Sequence, residues 1–122
     1  MQKKKCFNII SILMGILFLS ACEYATIHPD LPSPDQPVYY SSDIQSPIFN
    51  KKCAGCHQPG HSSGLDLTAA NSYNSLMNGN FIDTINPSQS KLYTKMVTGH
   101  GNASATEAQL VLNWIIQGAK NN

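Results

Sequence analysis

The sequence predicts an all-α fold: one small helical domain behind an N-terminal leader and a proline-rich segment. Apolar residues in the second half recur at three- and four-residue spacing, and no stretch alternates apolar with polar as a half-buried strand would. Start and stop signals for helices bracket each periodic run. At 122 residues and 42% hydrophobic content, the chain can bury one compact core. No internal repeat is present.

The N-terminus reads as an export signal over residues 1–21. Lys3, Lys4 and Lys5 form a positive region, and Phe7 to Leu19 is an apolar run broken by Asn8, Ser11 and Gly15. That run is short for a membrane span. Leu19-Ser20-Ala21-Cys22 matches the lipobox and resembles the end of a bacterial lipoprotein signal peptide, which implies lipid on Cys22. Several acyl chains on one residue hold a protein stably on a membrane, where a single chain does not. Removing three lysines takes 8 Lys+Arg to 5 against 7 Asp+Glu, a balance of −2. That surface gives no strong steering toward one kind of partner, and nothing in it suggests nucleic acid.

Residues 22–42 read as a lipidated N-terminus and linker. Pro29, Pro32, Pro34 and Pro37 fall close together, which prevents a regular helix and favours extended, semi-stiff chain. His28 lies in this stretch and is expected to be solvated. The domain is expected over residues 43–122.

Its first helix is expected to start at Ser46-Pro47, as N-cap and first helical position, and to run through Ile48, Phe49 and Lys51-Lys52 into Cys53. Gln58-Pro59-Gly60 stops it. Thr68 is the expected cap of a short, weak helix from Ala69 to Met77, ended by Gly79. Asn86-Pro87 starts the next, with Leu92, Tyr93 and Met96 at helical spacing and Gly99 as terminator. Ser104-Ala105-Thr106-Glu107 reads as a capping box. It opens an amphipathic helix with Ala108, Val111, Leu112, Trp114 and Ile115 on the apolar face, closed by Gly118.

Chemistry concentrates in Cys53-Ala54-Gly55-Cys56-His57. Two thiols three positions apart with a histidine directly after the second form the attachment signature of a c-type haem. Each thiol can form a thioether to one vinyl group, and the imidazole of His57 can bind the iron. A thioredoxin-like reading of Cys-x-x-Cys would need a preceding strand and a βαβ context, which the sequence lacks. A zinc site would need further Cys or His in suitable spacing, for which only His61 and His100 stand near. Cysteine usage then leaves no remainder: Cys6 departs with the leader, Cys22 takes lipid, and Cys53 and Cys56 take haem.

With this motif near the domain start and Trp114 in the last helix, the domain resembles a class I cytochrome c, most closely the short domains of bacterial exported proteins. The likeness rests on Asp43-Ile44-Gln45-Ser46-Pro47-Ile48-Phe49, Gly64-Leu65-Asp66-Leu67, Pro87-Ser88-Gln89-Ser90-Lys91-Leu92-Tyr93 and Trp114-Ile115-Ile116-Gln117-Gly118-Ala119. It covers about residues 43–120. The resemblance implies a small helical fold around covalent haem, with first and last helices packed together. It also implies a methionine in a Met-Pro-Pro loop as second axial ligand. This chain departs there, with Val97-Thr98-Gly99-His100-Gly101-Asn102-Ala103.

The sixth iron ligand therefore has several candidates. Met96 comes first, 18 residues before Trp114, and His100 is the alternative, between two glycines that allow close backbone approach. Met77, His61 or an open site are the remaining options. Ile48, Phe49, Leu65, Leu67, Leu92, Tyr93, Val111 and Trp114 are the expected pocket walls. The expected function is electron transfer by a membrane-anchored monohaem c-type cytochrome outside the cytoplasm, with redox proteins as partners and haem iron as its metal. The alternatives are an accessory haem subunit of a larger oxidoreductase and a small-ligand binder or sensor. No Ser/His/Asp set, carboxylate pair or phosphate loop marks an enzyme.

Overall fold

The computed structural model describes residues 30–122 and is all-helical among them. The leader, Cys22 and His28 lie outside the described residues. Helix α1 spans Tyr40–Cys53, α2 Ser72–Asn78, α3 Lys91–Val97 and α4 Ala105–Ile116. Single 3₁₀ turns at Pro87–Gln89 and His100–Asn102 precede α3 and α4. No helix among the described residues is long and apolar enough to cross a membrane.

Helix α4 follows its sequence signals closely. Glu107 N–H donates to Ser104 Oγ at 3.2 Å, while Ser104 N–H donates to Glu107 Oε2 at 2.7 Å. Both halves of the capping box therefore satisfy amides that the first turn leaves free. Ala108, Val111, Trp114 and Ile115 face the core. Leu112, expected among them, is only half-buried, and Asn113 takes the fully buried place instead. The helix ends where Gly118 turns left-handed at φ +95°.

Helix α1 departs from expectation. It begins six residues before Ser46, is wound as a π-helix, and carries Pro47 inside. Pro47 has no N–H to give and its ring crowds the preceding turn. Wider winding, seen where Ala54 N–H reaches Phe49 O at 2.8 Å, brings Tyr40, Ile44, Gln45, Ile48 and Phe49 to the buried side. The chain terminus caps this helix. Asn122 accepts from Tyr40 N–H through its side chain and from Ser41 N–H through its backbone, each at 2.9 Å.

The packed body also starts before Asp43. Val38 and Tyr40 are buried. Asn113 Nδ2 donates to Pro32 O and Ser33 O at 3.1 and 3.2 Å, and Val38 N–H donates to Gln117 Oε1 at 2.9 Å. The prolines do keep this stretch out of a helix, as expected. Backbone carbonyls of this extended stretch accept from the amide side chains of Asn113 on α4 and Gln117 just after it, so residues 32–38 lie on the domain.

Trp114 stands where α1 and α4 meet. Its ring lies 5.0 Å from Tyr40 and 6.5 Å from Tyr73 by centroid, and its Nε1 donates to Lys120 O at 2.8 Å. Tyr40 OH reaches Ser72 Oγ at 2.7 Å, and Ser72 in turn donates to Gln45 Oε1, tying α2 to α1; among the described residues every buried side-chain nitrogen and oxygen has a partner. Thr68 does not cap α2. Its N–H and hydroxyl both donate to Asp66 Oδ1, and α2 starts later, after Asn71. Leu65 and Leu67 on either side of Asp66 turn inward. The Asn86-Pro87 signal yields the 3₁₀ turn, and α3 starts only after Ser90.

Asn113→Ala removes the amide that holds residues 32–33. It should cost about 1–3 kcal/mol in urea unfolding and open residues 30–38 to limited proteolysis, a pattern that a free linker would not show. Glu107 gives a second test. Burial raises its carboxyl pKa, but bonds from Lys52 and Ser104 prevail and hold it below the usual carboxylate range. Its contribution is therefore complete above about pH 4.3 and disappears as pH falls through the depressed folded value. Glu107→Gln should lose about 0.5–1 kcal/mol at neutral pH, and the difference from wild type should vanish in acid when denaturation midpoints are compared.

Candidate functional site

Between the C-terminal end of α1, the loop through Leu67, and α3 lies an apolar cleft of about 690 Å³. That volume falls within the range usual for cofactor sites. Its walls include Ile48, Leu65, Leu67, Phe81, Leu92 and Met96. Cys53, Cys56 and His57 all line it, brought there because α1 stops at Cys53 and the chain curls into a turn. Cys56 N–H and His57 N–H both donate to Cys53 O, at 3.1 and 2.9 Å. Leu67 N–H then donates to His57 O at 2.8 Å, closing the loop back over the motif.

Both thiols are free, Cys53 half-buried and Cys56 exposed. Burial pushes the Cys53 thiol up, with Glu107 adding to the shift and Lys52 opposing it. His57 is held below the usual histidine range, first by burial and then by His61 and His100 nearby. That favours the neutral imidazole, the form with a lone pair to give a metal. Ser63 Oγ stands 3.4 Å from His57 Nδ1 and 2.7 Å from His61 Nδ1. A partner at Nδ1 would leave Nε2 free to bind a metal.

The other named residues divide. Met96 is buried on the cleft wall, and it also borders a smaller cavity of about 250 Å³ beside Tyr93 and Ala108. His100 is exposed on the cleft rim with its ring 6.0 Å from that of His57. His61 also lines the cleft, 4.5 Å from His57 by ring centroid. Met77 packs against the core and does not line the cleft. Of the expected walls, Ile48, Leu65, Leu67 and Leu92 are in place. Phe49, Val111 and Trp114 are instead core residues, and Tyr93 faces the smaller cavity. The wider turn of α1 accounts for Phe49, which lies against Tyr40 at 6.2 Å.

Two features escaped the sequence reading. Phe81 joins the apolar wall because its carbonyl accepts from Leu92 N–H at 3.1 Å, a pairing with no local signal. Lys52, Lys91 and Lys95 gather on the same cleft, Lys91 with its ammonium 5.9 Å from the Phe81 ring. A near-neutral overall charge hid this clustering.

The donor set suits a haem. Its macrocycle is apolar and its propionates are anionic, so an apolar cleft edged by lysines matches both. No family model, curated protein or solved structure matches this chain.

Proposed function

We propose that this protein is a monohaem c-type cytochrome of the cell envelope, anchored to a membrane by lipid on Cys22 and carrying electrons between redox proteins outside the cytoplasm. The observation that carries the reading is the meeting of Cys53, Cys56 and His57 on one apolar cleft of about 690 Å³. Cys53 and Cys56, both free and both lining the cleft, would hold the group through thioethers, each S–H adding across a vinyl C=C with no net oxidation. When bound, haem supplies a one-electron ferric/ferrous couple.

The chain's own residues tune that couple. His57 would hold the iron through Nε2, with Ser63 Oγ 3.4 Å from Nδ1 on the other side of the ring. Ile48, Leu65, Leu67 and Phe81 exclude water and lower the local dielectric. Lys91 and Lys95 place positive charge on the rim, where anionic groups can lie. The resemblance to exported cytochrome domains and the lipobox supply the location.

Protein expressed with haem maturation should carry one haem per chain, and the haem should survive acid–acetone extraction. Cys53→Ala with Cys56→Ala should abolish that retention. Loss of wild-type colour on extraction would refute covalent attachment. Cys22→Ser should move the protein from the membrane to the soluble fraction, and unchanged membrane recovery would remove the anchor from the proposal.

A further inference from the structure

Ring separations distinguish the two histidines that could face His57. Metal–imidazole bonds run about 2.0 Å. With about 1.1 Å from nitrogen to ring centre, two imidazoles on opposite faces of one iron have centres about 6 Å apart. His57 and His100 stand at 6.0 Å. His61, at 4.5 Å from His57, is too close to admit an iron between them.

The loop bearing His100 is built for this placement. Gly99 and Gly101 are left-handed at φ +78° and +67°, and Asn102 follows at φ +54°. Asparagine and glycine are the residues that adopt this left-handed backbone most readily, so the sequence suits the turn. A Cβ at Gly101 would lie 3.8 Å from Cys53 Sγ, so the His100 turn passes beside the thiol that would attach the porphyrin. Lys52 fastens the turn to α1. Its Nζ donates to Asn102 O at 3.2 Å and to Glu107 Oε2 at 2.7 Å. One ammonium one residue before Cys53 thus links the helix of attachment, the His100 turn and the start of α4. Met96, by contrast, is buried in α3 with Leu92 one turn before it.

We infer that His100 is the second axial ligand, giving a bis-imidazole haem, and that Lys52 is a positioning residue that holds the His100 turn over the iron. The inference rests on the haem reading above. Two imidazoles favour ferric iron relative to an imidazole–thioether pair, so the carrier works at lower potential than the resemblance alone implies.

The test uses the full chain matured with haem. Ferric wild type should give the near-infrared magnetic circular dichroism of bis-imidazole ligation, without a sulfur-to-iron charge-transfer band. Met96→Leu should leave that spectrum unchanged. His100→Ala should bind carbon monoxide when reduced. Should it fail to mature, His100→Met provides a gain of signal, the sulfur-to-iron band. Lys52→Met should raise the rate of carbon monoxide binding about threefold with no change of ligand type, as expected for loss of a partly exposed charged latch. A wild-type sulfur-to-iron band that disappears in Met96→Leu would overturn the His100 assignment while leaving the cytochrome reading intact. Absence of covalent haem from wild type would overturn both. An unchanged carbon monoxide rate in Lys52→Met would remove the latch alone.

Discussion

Everything else is laid against one surface, the buried face of α4. Trp114 fills its centre and stacks on Tyr40 of α1 at 5.0 Å. A buried indole of this size contributes several kcal/mol through apolar burial alone. It also joins α4 to α1, the helix that ends at Cys53. The same helix binds the chain on both sides of itself in sequence. Asn113 and Gln117 take residues 32–38, and the turn at Gly118 returns Asn122 to the start of α1.

The core and the cleft share one set of leucines. Leu67 and Leu92 are nine-tenths buried or more, yet they also form cleft wall. Aromatic rings concentrate instead at the Tyr40–Tyr73–Trp114 cluster, leaving the cleft lined mainly by aliphatic side chains and Phe81. A flat apolar group entering the cleft would extend the core rather than displace it. The tightly packed aromatic cluster lies on the Trp114 side and the cleft on the Cys53 side.

Local signals were legible and long-range ones were not. The α4 capping box, the Gly118 stop and the Cys53–His57 motif can each be read within a few residues. The early start of α1 could not, because its cap comes from Asn122, eighty positions away. Ser46-Pro47 looked like a helix start because proline suits a first turn, but π-winding lets it sit inside. Asn113 was passed over because an amide in an apolar stripe has no meaning until its acceptors, the carbonyls of Pro32 and Ser33, are known. The gathering of Lys52, Lys91 and Lys95 was invisible for the same reason.

Docking of the proline-rich stretch onto α4 shortens the leash. With lipid on Cys22 as proposed, about ten residues separate the anchor from Pro32, the first of the described residues to hydrogen-bond to α4. Fully extended, such a segment spans at most about 35 Å. A tether free to residue 42 would reach roughly twice as far. The domain would then be confined to a shell about its own diameter above the bilayer. On the proposed electron-transfer role, a partner would have to present its redox centre at that height.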